Sequence, residues 1–480
     1  MNTYLLIVLV YFGLITLISF FTKKLASRSA VDFLVAGRNL GMIACSVVIA
    51  SEWLGGMSTI GVSEKAFTTG TLKPILYNFS TALGMVIIGF TVARHYREKK
   101  VHTVSEMLEH LFGSGARQVS AIAFLFAYIV LAFVQLQTAA SVISATFDTS
   151  WFTSIIISAL VITLYTYFGG MHSIAIAGII HVAVMFSGAG LAVFTGLSDI
   201  GWIEGLRHAL IVQGSPQDMF NPFSGEISYA WSLILGGVLG GMAGQASIQP
   251  VFAARSPLTA KRAAIMSAFI IAPFGIMIAL LGLLAKTGNY FDISTASSPL
   301  WDPNLQQINP KMVLPALLVS PEFIHPLAGG FALAGILAAI LSTVGPVNFA
   351  VVTIATRDIY HALWKKDATD KQLIKTARLQ IIFLNLLTIP LAFLASGAIL
   401  TTAYISYGIR AIGAIIILLA IYRRGWINLL GVRLAFIGGT LAVLINVVLR
   451  SFNLINLEDT YVAVGSALVF IILGNLWKMK

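Results

Sequence analysis

The sequence predicts an all-α polytopic membrane protein of about 13 transmembrane helices, and three observations carry that reading. Of the 480 residues, 58% are hydrophobic and only 10% charged, and the mean hydropathy of +0.90 is too apolar for a soluble fold. Apolar runs long enough to span a bilayer recur along the whole chain. The net charge of +11 comes from Lys and Arg scattered between those runs rather than gathered in one block. That is the pattern of topology signals, and it argues against nucleic acid as a partner.

The spans fall in order as follows. The first, 3 to 22, has no basic stretch before it and Lys23-Lys24 after it, the wrong order for a cleavable signal, so it is expected to stay as a helix. The second, 41 to 62, is apolar but interrupted halfway by Ala50-Ser51-Glu52-Trp53-Leu54-Gly55-Gly56, and the third is 73 to 93. Thr103-Val104-Ser105-Glu106 then reads as a capping box opening a short amphipathic surface helix, Met107 to Phe112. Spans at 118 to 147, 151 to 168 and 174 to 198 follow, and a long polar loop, 199 to 229, separates them from 230 to 252, which Gly244-Gln245-Ala246-Ser247-Ile248-Gln249-Pro250 interrupts in turn. After 263 to 285 comes a second long loop, 286 to 326, then spans at 327 to 355, 378 to 397, 400 to 422, 429 to 449 and 460 to 477. Both loops have room for short helices.

With the N-terminus outside, 23 of the 30 Lys and Arg lie in inner loops or at the tail, among them Lys23, Lys24, Arg28, Arg38, Arg94, Arg97, Arg117, Arg255, Arg357, Arg378, Arg424 and Lys480. The expected orientation is therefore N-terminus outside and C-terminus cytoplasmic, with both long loops, carrying Asp218, Glu226, Asp292 and Asp302, outside. The expected location is the cell membrane. The lone cysteine, Cys45, excludes an intramolecular disulfide.

The two interruptions point to transport. Glycines, a proline, an acid and amides are costly in hydrocarbon unless the freed backbone lines a cavity, and broken segments at matching places in two halves mark a transport site. An enzyme is not expected, because the spans hold no clustered metal-ligand motif, phosphate loop or nucleophile elbow.

Several stretches together resemble the sodium/solute symporter family, the sodium/proline and sodium/glucose carriers. Asp32-Phe33-Leu34-Val35-Ala36-Gly37-Arg38-Asn39-Leu40 is similar to the family's loop after the first helix, and Tyr165-Thr166-Tyr167-Phe168-Gly169-Gly170-Met171 to a turn between two helices. Ala339-Ile340-Leu341-Ser342-Thr343, with Arg357-Asp358-Ile359-Tyr360 further on, looks like its eighth core helix. The resemblance implies a five-plus-five inverted-repeat core within one domain, 1 to 480: a leading helix and inner loop (1 to 40), repeats at 41 to 198 and 230 to 422, the outer loop 199 to 229, and two trailing helices (423 to 480). Both interrupted spans then stand first in their repeats.

On the same resemblance, a sodium ion is bound by the carbonyls of Ala50, Trp53 and Ala339 and the hydroxyls of Ser342 and Thr343. Residues 339, 342 and 343 are i, i+3 and i+4, so they share one helical face. Relatives with a second sodium carry an aspartate where this chain has Gly178 and extra serines where it has Gly345 and Pro346, which implies one coupling cation and no other cofactor. Substrate candidates are Ser51, Glu52, Gly55, Gln245, Ser247, Tyr407 and Arg410, with Gln249 nearby. Glu52 can cap the following half-helix, contact an ammonium group or carry a proton. Arg410, unusual at this place in the family, can pair with a substrate carboxylate, pair with Glu52, or extend to an interface. The gluttony of hydrogen bonding in membrane helices leaves Gln245 and Ser247 with an alternative role, capping exposed backbone.

The expected function is sodium-coupled symport of a small organic solute, an amino acid or small carboxylate, by alternating access. Proton coupling through Glu52 or His181 is the main alternative, and a membrane sensor the weaker one.

Overall fold

The computed structural model describes residues 3–26, 29–147, 149–223, 227–302, 306–395, 398–423 and 425–478. Helix dominates, because a backbone crossing hydrocarbon must satisfy its own N–H and C=O groups. Among the described residues the strands are one short antiparallel pair, Trp301–Asp302 with Gln307–Ile308, in the second long loop.

The helices that position the site are α1 (Thr3–Ala26), α2 (Met42–Trp53), α3 (Val62–Thr69), α4 (Ile75–Thr91), α5 (Val104–Phe112), α6 (Ser114–Phe147), α7 (Trp151–Ile200), α8 (Ile227–Met242), α9 (Gln245–Ala253), α10 (Pro257–Lys286), α11 (Pro326–Thr353), α12 (Asp370–Leu394), α13 (Ile399–Tyr422), α14 (Leu429–Ser451) and α15 (Asp459–Lys478). Wider π-type turns, Ile354–Trp364, continue α11. Among the described residues, 8 helices are long and apolar enough to cross a membrane, or up to 10 if each of two bent pairs is one span. The bent pairs are the two interrupted segments: 55° between Met42–Trp53 and Met57–Thr69, and 40° between α8 and α9. Shorter apolar stretches, Leu6–Ile18, Ile75–Thr91 and Trp151–Leu164, fall on the other three expected spans.

The spans expected at 151 to 168 and 174 to 198 form one run of helical backbone, α7, folded back on itself. A straight 50-residue helix would be about 75 Å long, yet both ends of α7 meet the same loop. Trp151 lines a cavity with Pro299 and Leu300, and Asp199 accepts a hydrogen bond from Tyr290 (3.1 Å). Halfway along, the Tyr167 ring lies 5.7 Å from the Arg378 guanidinium, which also faces Phe33. The chain therefore reverses at the opposite end of the bundle. That end gathers Arg38, Arg97, Arg117 and Arg357 and is called the basic end below; the end carrying residues 286–326 is the loop end.

Burial separates core from periphery. The most apolar stretch of Pro326–Trp364 is 83% buried and that of α13 is 78% buried, against 33% for α14 and 28% for α15. Leu9, Phe90, Phe269, Phe383 and Ile437 face outward, an apolar surface suited to lipid. Glycine permits a close core crossing between α7 and α11: a Cβ on Gly335 would lie 2.9 Å from the Val184 carbonyl oxygen, and one on Gly188 2.9 Å from Ala332 Cα.

One expectation needs correction. The capping-box helix starts at Val104 rather than Met107, and Glu106 accepts from the N–H of His102, one residue before the expected partner, while Thr103 caps as expected by accepting from Glu106 N–H (2.9 Å). The long loops do contain helices, Trp202–Val212 and Val313–Val319. Arg28, Glu226, Arg424 and Lys480 lie outside the described residues, as do the side chains of Lys23, Lys24, Tyr165 and Phe168.

Candidate functional site

The first break follows from two glycines where helices cross too closely for any side chain. A Cβ on Gly55 would sit 2.0 Å from Thr343 Oγ1, and one on Gly56 2.1 Å from Thr138 Oγ1. The backbone groups freed by the break find partners on other helices: Gly56 N–H donates to Gln135 Oε1 (3.0 Å), and Thr343 Oγ1 donates to the carbonyls of Ser51 (2.8 Å) and Glu52 (2.9 Å). Ser342 Oγ bridges the carbonyls of Ser51 (3.0 Å) and Ala339 (2.7 Å). Two hydroxyls and several carbonyls thus converge where α2 stops against α11, a set of uncharged oxygens suited to a hard monovalent cation.

The hydroxyls of α11 meet carbonyls adjacent to the expected ones. The carbonyls that meet the α11 hydroxyls belong to Ser51 and Glu52, lying between the expected Ala50 and Trp53. Ala50 carbonyl accepts from Leu54 N–H (3.1 Å) and Trp53 carbonyl from Ser58 Oγ (2.6 Å). Gly178 faces this region, its Cβ position 3.7 Å from Ser51 Oγ.

Beside the oxygen cluster lies a second group of buried polar side chains. Glu52 is 2% exposed and Arg410 fully buried. The Arg410 guanidinium lies 4.4 Å from the Tyr407 ring centre, 5.3 Å from Tyr128 and 5.5 Å from Trp53, so three aromatic faces surround it. Arg410 Nη1 donates to Tyr128 OH (3.0 Å), and the same hydroxyl accepts from Ala246 N–H (2.9 Å) at the start of α9, which ties Arg410 to the second break. Arg410 Nε and Nη2, Glu52 Oε2 and Trp53 Nε1 are buried without partners. No ion pair joins Glu52 to Arg410 among the described residues. Tyr77 closes one side, its ring stacked on Tyr407 at 6.1 Å and the two hydroxyls 2.8 Å apart.

Four expected substrate residues are engaged elsewhere. Gln245 donates to the His102 carbonyl (2.9 Å) and accepts from Val104 N–H (2.8 Å), so its whole carboxamide braces α9 against the loop before α5. Ser247 donates to the Gly244 carbonyl (3.1 Å) and caps the second break. Ser51 Oγ donates within its own helix to Val48 (3.0 Å). Gly55 serves as the space that Thr343 fills. Tyr128, Tyr77 and Gln135 were missed by the sequence reading. For Gln135 a signal existed, an amide inside a long apolar span; the tyrosines blend into their apolar runs.

Comparison with known proteins settles the family. The sequence pattern of the sodium:solute symporter family matches residues 33–443. The chain belongs to that family. Membership makes this sodium:solute symporter a multi-pass membrane transporter coupling sodium to a solute, not an enzyme. It is 24% identical over 467 residues to sodium/proline symporter 2 of Staphylococcus saprophyticus, covering 93% of this chain and 86% of the relative. It is 25% identical over 462 residues to the osmoregulated proline transporter OpuE of Bacillus subtilis, covering 91% and 87%. Against the human high affinity choline transporter 1 it is 25% identical over 401 residues, 78% of this chain but 65% of that protein, so the chain spans just under two thirds of its length. A sodium-coupled sialic acid symporter solved in a substrate-bound outward-open state shares the fold, with a TM-score of 0.79 at 18% identity over 99% of this chain and 97% of that one. A nucleobase-cation-symport-1 transporter in a closed conformation gives 0.57 at 14% identity, covering 94% and 95%.

At the basic end the symporter is closed by a network around His102. Arg38 Nη2 lies 3.2 Å from His102 Nε2 and Arg357 Nη2 3.4 Å from Nδ1, while Glu106 Oε2 accepts from His102 N–H (2.7 Å) and Gln245 holds the His102 carbonyl. Arg117 donates to Asp358 (2.8 Å) and Glu109 (2.6 Å), and Thr103 also donates to Asp358 (2.8 Å). Burial, and then the charges of Arg357 and Arg38, hold the His102 ring below its ordinary value of 6.5 against the pull of Glu106. Burial opposes the Glu106 charge, but the His102 ring and backbone N–H, with Arg357, outweigh it and bring the carboxyl to about 2. The closed arrangement therefore binds fewer protons at His102 than an opened one. That contribution to closure is complete above pH 6.5 and is lost as pH falls below it toward the depressed value. With rates divided by the thiolate fraction at each pH, taken from the same cysteine in the unfolded protein, a cysteine at Val104 is expected to become more reactive as the pH at this end drops below 6.5, and His102→Gln should remove that remaining pH dependence. Normalised rates independent of pH in the native-histidine background would contradict this.

Proposed function

We propose that this symporter carries a small carboxylate-bearing solute, an amino acid of the proline kind, into the cell with one sodium ion. The single observation that carries the solute class is the Arg410 edge formed by Nε and Nη2. These adjacent donors point the same way, lack partners, and lie in a fully buried site, which suits bidentate capture of a carboxylate. Glu52 Oε2, also without a partner, is the acceptor for an ammonium group. A quaternary ammonium solute fits less well, because Arg410 already occupies the aromatic faces that such a cation would need.

Sodium is held by Ser342 and Thr343 together with backbone carbonyls of residues 50 to 53 and 339. In this reading the described helices make up thirteen spans, with inverted repeats at 41 to 198 and 230 to 422, the N-terminus outside and the loop end facing the exterior. Sodium orders the first break, which positions Glu52 and Trp53 beside Arg410, so each ligand tightens the other by the same factor. Opening of the basic end then releases both. One charge moving inward draws about 2.3 kcal/mol per 100 mV from the membrane potential.

The test is uptake of radiolabelled L-proline into proteoliposomes under an inward sodium gradient. Accumulation should require sodium and be competed by other small amino acids but not by choline. Sodium-independent accumulation abolished by an uncoupler would replace sodium with protons, and stronger uptake of choline would overturn the carboxylate reading.

A further inference from the structure

A cavity of about 530 Å³ lies at the basic end, where the end of α4, the start of α10 and the last residue of α13 meet. Phe90, Arg94, Leu258, Lys261 and Tyr422 are in its lining. Tyr422 OH donates to the Thr91 carbonyl (3.2 Å), which ties the end of α13 to that of α4. A Cβ on Gly89 would lie 3.1 Å from the Lys261 carbonyl oxygen, so α4 and α10 cross closely here.

The charge of this cavity is one-sided. Glu98, the carboxylate in the lining, accepts from Arg94 Nε (2.7 Å), and the terminal nitrogens of Arg94 make no hydrogen bond among the described residues. His95 Nδ1 lies 3.1 Å from the Thr91 carbonyl. Lys261 Nζ sits 4.8 Å from the Phe90 ring centre and makes no hydrogen bond or ion pair among the described residues, so its positive charge is left over.

Beyond the cavity the surface is apolar. Phe79, Leu83 and Phe90 are exposed at i, i+4 and i+11 on α4, and Leu258, Met266 and Phe269 at i, i+8 and i+11 on α10. Each set shares one helical face, so two apolar stripes run from the basic end toward the middle of the bilayer. A soluble anion would satisfy the cations and leave the stripes unused, whereas a zwitterionic lipid would cover the stripes without a net charge for Lys261.

We infer that this cavity binds the headgroup of an anionic phospholipid, with its phosphate on Lys261 and Arg94 and its acyl chains along the stripes of α4 and α10. The bound lipid would join both helices to α13, the helix that carries Arg410. The site is independent of which solute the transporter carries.

Native mass spectrometry of purified, full-length protein with equal amounts of dioleoyl phosphatidylglycerol and dioleoyl phosphatidylcholine tests this. One phosphatidylglycerol should be retained with a preference of about tenfold or more, the effect of one or two basic residues on an anionic headgroup. Combining Arg94→Gln with Lys261→Gln should bring the two lipids near parity. Lys261→Met keeps a stem over Phe90 and should also lose most of the preference, which serves if the double variant melts early. Lys371→Gln, an exposed lysine at the start of α12 outside the cavity, should change nothing. No preference in the native protein, or an equal loss in Lys371→Gln, would overturn the site. Dihexanoyl phosphatidylglycerol should bind far more weakly than the dioleoyl lipid; equal binding would mark a site for free phosphate groups and overturn the lipid.

Discussion

Alanine at Gly55 is expected to abolish sodium-driven uptake. Its Cβ would fall 2.0 Å from Thr343 Oγ1 and 2.3 Å from Thr343 Cβ, where carbon atoms need about 3.5 to 4.0 Å. Rotating the threonine cannot relieve a contact with its own Cβ, so α2 and α11 must separate. That separation breaks the 2.8 and 2.9 Å contacts between Thr343 and the carbonyls of Ser51 and Glu52. Overpacking of this kind costs about 1 to 3 kcal/mol, small beside the stability of a large bundle, so the protein should still reach the membrane. Gly190→Ala is the control, because nothing lies within 4 Å of its Cβ position. Thr343→Ala, which removes one oxygen without a clash, should raise the sodium concentration for half-maximal uptake roughly tenfold, or about 1.4 kcal/mol. A sodium titration of uptake in proteoliposomes checks all three. Near-native uptake by Gly55→Ala would place the cation elsewhere.

Removing the Arg410 fork should weaken binding of a carboxylated solute about 100-fold. Hydrogen bonds to charged groups contribute about 1.5 to 3 kcal/mol each, so losing two costs about 3 kcal/mol at the least, which is roughly two decades of affinity. Arg410→Lys keeps the charge but loses the planar fork and its packing on Tyr407, and it should recover only part of the loss. Arg410→Gln has a second consequence, since Glu52 is buried and the Arg410 charge acts on it, so removing that charge should lower thermal stability. Combining it with Glu52→Gln should restore thermal stability without restoring binding. That split separates recognition from folding. Unchanged solute affinity in Arg410→Gln would refute the proposed pairing.

Much of the fold was legible because its signals are local. Apolar runs of bilayer length, Lys and Arg between them, and the glycine-rich interruptions at Ala50–Gly56 and Gly244–Pro250 can each be read within a few dozen residues. The shared face of Ala339, Ser342 and Thr343 likewise follows from helical spacing alone. Less legible were residues whose role depends on what crosses them. Gln245 looked suited to a solute because it follows a break, yet His102 and Val104 take both ends of its amide. Tyr128 sits in an unremarked apolar run and still joins Arg410 to the second break.

By itself, then, the sequence determined a helical membrane protein with two interrupted spans, a hydroxyl pair on one helix face, and two charges, Glu52 and Arg410, in hydrocarbon. Only the tertiary structure decided which carbonyls the hydroxyls meet, which donors of Arg410 stay uncommitted, and that Arg94 and Lys261 share a cavity. The reason is distance along the chain. Ser342 and Ser51 are 291 residues apart, and contacts of that range depend on how helices cross, which no stretch of sequence around either residue encodes.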